Sequence, residues 1–197
     1  MFVKVCGITN LEDALAAVQA GANALGFIFH PASPRYIAPS ALAKWIAQIP
    51  AHIWRVGVWV DQPAEEIEQI SRSLGLHVAQ LHGSEMPEAF PQGLRIWKAI
   101  RVRDHFDPSW NDYPCEALLL DGPSSGARFD WSIARQARTP VILAGGLDEE
   151  NIGQAIAAVK PWGVDVCSSL EGTPGHKDHA RMARFLEVCQ PALLKPH

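Results

Sequence analysis

Long apolar runs are missing from this 197-residue chain. Its hydrophobic stretches are short and broken by Gly, Pro or charge, well under the ~20 residues a membrane span needs. Positive charge is scarce as well: 17 Lys+Arg against 21 Asp+Glu leave a net charge of -4. With no basic excess to engage a phosphate backbone, nucleic acid is not an expected partner. Cysteine is limited to Cys6, Cys115, Cys167 and Cys189, far apart and without a C-x-x-C pair, so neither a zinc site nor a redox motif is expected. Met1-Phe2-Val3-Lys4 runs straight into a strand-like pattern, so no signal peptide is expected. A chain this long can bury its own core without disulfides, and free thiols in a reducing cytoplasm follow. What is present, 48% apolar and only 19% charged residues, is too apolar for a disordered chain. A prior of about 150 residues per domain gives a single domain over 1–197.

Short β-branched runs alternate with amphipathic helices. Strands are expected to begin near Val3, Ala24, Ile53, Val78, Arg95, Ala117, Val141 and Val164. Ala117-Leu118-Leu119-Leu120 and Val141-Ile142-Leu143-Ala144 are apolar throughout, as strands buried on both faces are. Helical spacing of i, i+3, i+4, i+7 appears at Leu11, Ala14, Leu15 and Val18 after Asn10, and at Leu42, Trp45, Ile46 and Ile49 after Ser40. It recurs at Ile152, Ala155, Ile156 and Val159 after Asp148, and at Met182, Phe185, Leu186 and Cys189 after Asp178. Asp61 with Pro63 opens a helix carrying Ile67, Ile70 and Leu74. The connections Ser84 to Pro91 and Arg103 to Pro114 hold at most a turn of helix. Strand–helix alternation at this pitch implies right-handed βαβ units. Eight of them close into a (β/α)₈ TIM barrel at the small end of that fold, with two short or missing helices; an open doubly wound sheet is the alternative.

In such folds the reactive face lies at the C-terminal ends of the strands. There the chain places Cys6, His30, Asp61, Gln80 and His82, Lys98 and Arg101, Asp121, Gly145-Gly146 and Ser168-Ser169. Gly145-Gly146 and Ser168-Ser169, following the seventh and eighth strands, suit a phosphate cradle of outward N–H groups and hydroxyls. A tight turn is the plainer explanation for the glycine pair. Cys6 is a candidate base, because a thiol near a cation loses its proton more readily and Lys4 projects to the same side. Asp121 is a candidate acid if burial raises its pKa. Together they suggest proton shuffling on a sugar phosphate, though a buried cysteine is often just a small apolar residue. Arg35, in a loop stiffened by Pro31 and Pro34, could present its fork to a carboxylate or simply face water. Neither His176 with His179 nor His77 with His82 offers a zinc ligand set, so no metal is expected. The seven tryptophans are scattered and are expected to serve packing.

Several segments, in order, carry a resemblance. They are Val3-Lys4-Val5-Cys6-Gly7-Ile8-Thr9, Gly21-Ala22-Asn23-Ala24-Leu25-Gly26-Phe27-Ile28-Phe29, Ser33-Pro34-Arg35-Tyr36-Ile37, Val56-Gly57-Val58-Trp59-Val60 and Gln80-Leu81-His82-Gly83. Leu119-Leu120-Asp121, Phe129-Asp130-Trp131, Leu143-Ala144-Gly145-Gly146-Leu147 and Gly163-Val164-Asp165-Val166 complete the series. Over essentially its whole length the chain resembles the phosphoribosylanthranilate isomerases of tryptophan biosynthesis, cytoplasmic (β/α)₈ enzymes. The resemblance implies an Amadori rearrangement of one small phosphorylated substrate without metal or organic cofactor. It implies Asp121 as the acid that opens the ribose ring and Cys6 as the base at C2′. Arg35 would hold the anthranilate carboxylate, and Gly145, Gly146, Asp165, Ser168 and Ser169 would complete the substrate and phosphate contacts. Two departures stand out. Cys167-Ser168-Ser169 replaces the family's usual Ser-Ser-Gly, so a side chain at Ser169 is expected to crowd the phosphate turn. Ser124-Ser125-Gly126 replaces a frequent Gly-Thr-Gly.

Two other functions compete. A sugar-phosphate isomerase of histidine biosynthesis shares the chemistry but resembles this chain less, having aspartate where Cys6 stands. A non-catalytic phosphate-binding module is opposed by the pairing of Cys6 with Asp121. A monomeric, stand-alone enzyme is expected.

Overall fold

Eight strands, β1 (Phe2–Val5), β2 (Ala24–Ile28), β3 (Trp54–Trp59), β4 (Val78–Leu81), β5 (Arg95–Arg101), β6 (Ala117–Asp121), β7 (Val141–Leu143) and β8 (Gly163–Val166), pair in sequence order. All pairings are parallel, and β8 returns to β1 to close a barrel. Closure selects the (β/α)₈ fold over the open sheet, and every strand starts within one residue of its expected position. The structure, a computed structural model, describes residues 1–124 and 126–193, the last three through their backbone. Ser125 and the tail beyond residue 193 lie outside the described residues.

Helices α1 (Leu11–Ala20), α2 (Pro39–Leu42), α3 (Ala64–Leu74), α4 (Ile152–Val159) and α5 (His179–Leu193) pack outside. Asn10 caps α1 by accepting the Asp13 N–H, and Gly21 ends it at φ 106, a conformation costly for any residue with a Cβ. Asp148 and Asp178 accept N–H groups at the starts of α4 and α5, as expected of them. Asp61 instead accepts from Ser84 across the mouth, leaving Pro63 to open α3. The helix expected over Leu42–Ile49 does not form. Its span breaks into α2, with Ser40 inside rather than capping, and a 3₁₀ turn at Ile46–Gln48. Proline at the first helical position favours an early start, and Pro50 stops the pattern soon after. Single 3₁₀ turns at Pro87–Ala89 and Pro108–Asp112 fill the two connections expected to be short. The β6–β7 connection is also reduced, to a 3₁₀ segment at Trp131–Gln136.

Strand alternation splits the core in two. Outward residues such as Val3, Val5, Leu118, Leu120, Val164 and Val166 meet the helices. Inward residues Ala24, Val56, Val78, Ala99, Ala117, Leu119 and Ile142 fill the lower barrel. Three of the tryptophans that looked scattered gather with Phe2 as its plug: Phe2 stacks on Trp97 at 5.3 Å and meets the Trp162 edge at 4.9 Å, with Trp54 beside them. Such pairs contribute about 0.5–1.5 kcal/mol each beyond area burial. Above this apolar floor the inward side chains turn polar: Lys4, Gln80 and Asp165 first, then Cys6, His82, Asp121 and Cys167. The site is therefore the upper end of the barrel interior. Among the described residues no helix is long and apolar enough to cross a membrane.

Candidate active site

A cavity of about 670 Å³, open to solvent, occupies the C-terminal mouth. Cys6, Arg35, Asp121, Gly145, Gly146, Asp165, Ser168 and Ser169 all line it, so the structure brings every expected site residue together. His30, Asp61, Lys98 and Arg101 stand outside its lining. Lys98 is instead committed to structure, its Nζ 2.8 Å from Glu85 and 2.7 Å from the Gly83 carbonyl. Cys167 and Gly126, named from sequence only as departures from the family pattern, also line the mouth, as do Gln80 and His82, which were given no site role there.

Cys6 follows β1 and is 5% exposed. One layer below it, Lys4 Nζ meets Asp165 Oδ1 at 2.8 Å, a pair sealed inside the barrel. The register Lys4↔Asp165 puts the two opposite each other on neighbouring strands. Burial opposes the lysine's charge, but Asp165 and Cys6 outweigh it and push its pKa above the usual value. Burial pushes the Asp165 carboxyl up to about 7, with Lys4 working against that rise. The Cys6 thiol is held well below the usual range, first by a hydrogen bond from Cys167 and then, against its burial, by Lys4 and Lys177. The other three cysteines go the opposite way. Cys167 is raised by its bond to Cys6 and by burial, Cys115 by burial, and Cys189 is pushed up to about 12 by its apolar surroundings. One thiol of the four is thus shifted toward the thiolate, and the other three away from it.

Asp121 ends β6, its side chain 21% exposed, with Oδ1 accepting the Gly122 N–H at 2.9 Å and Oδ2 3.5 Å from His82 Nε2. It is less enclosed than the sequence argument for a burial-raised acid supposes. His82 in turn approaches Gln80 at 3.4 Å. The Gln80 side-chain oxygen is buried with no hydrogen-bond partner among the described residues, an acceptor left open at the cavity wall.

Arg35 neither faces water nor stands unpaired. Its Nε and Nη2 grip Glu171 at 2.8 and 2.7 Å. Glu171 also binds Lys177 at 3.1 Å; these cations overcome its burial and hold its carboxyl below the usual range. Glu171 and Lys177 come from a hairpin, β9 (Glu171–Thr173) and β10 (His176–Lys177), that sequence periodicity did not reveal. A guanidinium has five N–H donors, so Arg35 keeps donors for a ligand in the cavity it lines.

The phosphate turns are preformed. Gly145 and Gly146 adopt φ 82 and 62, and a Cβ on Gly145 would overlap the backbone of Gly122. Among the described residues none accepts the N–H of Gly145, Gly146, Ser168 or Ser169. The serines open a 3₁₀ turn at Ser168–Leu170, where the first N–H groups have no internal acceptor. The backbone of Ser169 is not left-handed, and its hydroxyl donates to the Leu147 carbonyl at 2.6 Å. Among the described residues no group of three His, Cys, Asp or Glu is placed to hold a metal.

The sequence model described as N-(5'phosphoribosyl)anthranilate (PRA) isomerase matches residues 3–188. The N-(5'-phosphoribosyl)anthranilate isomerase of Solibacter usitatus is 46% identical over 200 residues, covering 98% of this chain and 99% of that protein. The crystal structure of phosphoribosyl anthranilate isomerase from Thermus thermophilus superposes with a TM-score of 0.91 at 39% identity, covering 97% of this chain and 99% of that one. A further structure of such an isomerase, solved with reduced 1-(o-carboxyphenylamino)-1-deoxyribulose 5-phosphate, gives 0.87 at 36% identity over 97% of this chain and 99% of that one. Fold, motifs and a near-full-length match converge, and the chain belongs to the N-(5'-phosphoribosyl)anthranilate isomerase family.

Proposed function

We propose that this chain converts N-(5'-phosphoribosyl)anthranilate to 1-(2-carboxyphenylamino)-1-deoxyribulose 5-phosphate, the Amadori step of tryptophan biosynthesis. Asp121 gives a proton to the ribose ring oxygen as the C1′–O bond breaks, and the anthranilate nitrogen supplies the electron pair that forms an iminium. The iminium acidifies C2′, and the Cys6 thiolate removes that proton to give an enolamine. Protonation at C1′, with loss of the C2′ hydroxyl proton, then leaves the C2′ ketone. C1′ is reduced and C2′ oxidised within one molecule, so the reaction is an intramolecular oxidoreduction. The substrate's own iminium is the electron sink, and the chemistry calls on no metal or organic cofactor.

The single observation behind this assignment is the thiol of Cys6, lowered by Cys167 and Lys4 at the floor of a cavity that Asp121 also lines. Arg35, oriented by Glu171, holds the anthranilate carboxylate with its remaining donors. The free N–H groups of Gly145, Gly146, Ser168 and Ser169 receive the phosphate dianion, which a chain of net charge -4 attracts locally rather than globally. Asp165 acts from below, anchoring Lys4 under Cys6; a carboxylate already bonded to Lys4 is poorly suited to touch a phosphorylated ligand. One chain supplies all of these residues, so a monomer suffices as the working unit, and four free thiols suit the cytoplasm. The test is an assay of the purified chain with phosphoribosylanthranilate, following loss of its fluorescence. Turnover supports the assignment, and its absence at micromolar enzyme leaves a binding module.

A further inference from the structure

Cys167, the residue after β8, places a second thiol on the wall of the mouth that Cys6 also lines. Strands β1 and β8 run in register from Phe2↔Gly163 to Val5↔Val166. Alternation turns Lys4 and Asp165 inward, where they meet at 2.8 Å. The next inward step on the two chains is Cys6 and Cys167. The Cys6 N–H bonds the Val166 carbonyl at 2.9 Å, which holds the two segments at sheet spacing. That spacing, about 4.8 Å between neighbouring strands, falls inside the roughly 4.4–6.8 Å between Cα atoms that a disulfide spans. Both thiols line the mouth cavity. Cys115 and Cys189 line none of it.

We propose that Cys6 and Cys167 are a redox pair, in which a small hydroperoxide entering the mouth drives their closure into a reversible disulfide. The Cys6 thiolate attacks one peroxide oxygen and the O–O bond breaks, giving Cys6 sulfenic acid and hydroxide. The Cys167 sulfur then attacks the Cys6 sulfur and expels the hydroxyl. The Cys167 proton leaves with that hydroxyl as water, by way of Glu171 Oε1, which lies 3.9 Å from Cys167 Sγ. Two thiols lose two electrons in total, and the peroxide gains them. Lys177 Nζ, also 3.9 Å from Cys167 Sγ, stabilises negative charge as it develops on that sulfur. A dithiol reductant reverses the closure. Cysteine pairs in reducing compartments are of this transient kind, and a nearby resolving thiol halts oxidation before the irreversible sulfinic stage. That closure also stops catalysis rests on Cys6 being the base.

The test treats the full-length chain with hydrogen peroxide and maps peptides without reduction. Expected are a linked Cys6–Cys167 peptide, activity that falls in proportion to it, and recovery of both with a dithiol. In Cys167→Ser, and in Cys167→Ala should the serine variant fold poorly, peroxide should inactivate in a way the reductant cannot reverse. Each variant is scored against its own untreated activity. Cys115→Ser with Cys189→Ser should leave the link unchanged. Cys6 running to sulfinic acid in the unaltered chain as fast as in Cys167→Ser, with no linked peptide, overturns the proposal. A full link with activity retained upholds the pair and overturns Cys6 as the base.

Discussion

Lys4→Met removes the cation beneath Cys6 and leaves Asp165 in the barrel without its partner. The pair is 2.8 Å apart, with side chains 0% and 9% exposed, so water can replace little of what is lost. Breaking a buried pair from one side costs about 3–5 kcal/mol, a large share of the roughly 5–15 kcal/mol that holds a domain folded. Asp165 limits the loss by taking a proton. Its folded pKa, already pushed up to about 7 with Lys4 in place, rises further without it. A carboxyl whose folded pKa exceeds its unfolded value loses stability as pH rises through the folded value, at up to about 1.4 kcal/mol per pH unit. The deficit of Lys4→Met against the unaltered chain should therefore be larger near about pH 8 than near about pH 6. Adding Asp165→Asn removes the stranded charge and should return most of the stability. It should not restore the Cys6 thiolate, so alkylation of Cys6 by iodoacetamide stays slower than in the unaltered chain. The hydrogen bond from Cys167 still lowers the thiol, so the reaction slows without stopping. Urea unfolding of the three proteins at both pH values provides the reading. A single-variant loss under about 1 kcal/mol, or a deficit that does not grow with pH, would refute a buried charge pair under Cys6.

Arg35→Ala should raise KM far more than it lowers kcat, and should cost about 1–3 kcal/mol of stability because Glu171 loses its fork; an unchanged KM reassigns the carboxylate contact. Gly145→Ala forces a left-handed backbone and an overlap with Gly122, so it should destabilise by about 1–3 kcal/mol and weaken inhibition by inorganic phosphate. Because Cys6 is lowered, the acid limb of kcat/KM should lie below the ordinary thiol range. The linked stability is fully present above the unfolded thiol pKa and is lost as pH falls through the folded one. A limb at the ordinary thiol value contradicts the tuning.

Much of this was legible in the residues. Strand starts could be read because short apolar runs bounded by glycine and polar caps have few other uses in a parallel fold. Cys6, Asp121 and the glycine pair could be found because the fold gathers strand ends at one mouth. The partners of these residues could not. Glu171 grips Arg35 from 136 positions away, and Asp165 meets Lys4 across 161. Only barrel closure brings β8 to β1, and nothing local announces it. Alternation puts Lys4 and Cys6 on one face of β1, and Asp165 and Cys167 on one face of β8, but which strands are neighbours is not written in either segment. The false helix over Leu42–Ile49 had the right period, but Pro39 and Pro50 confined it to two separate turns.

The central claim is that Cys6 takes a proton from carbon while Asp121 gives one to the ring oxygen. Its most direct test is single-turnover fluorescence with phosphoribosylanthranilate on the unaltered chain, Cys6→Ser and Asp121→Ala. Acid and base each contribute about 10²–10⁴-fold, so either variant should lose at least that much in kcat while its unfolding midpoint and phosphate binding stay near those of the unaltered chain. Turnover within a few-fold of normal in a folded Cys6→Ser would contradict the account.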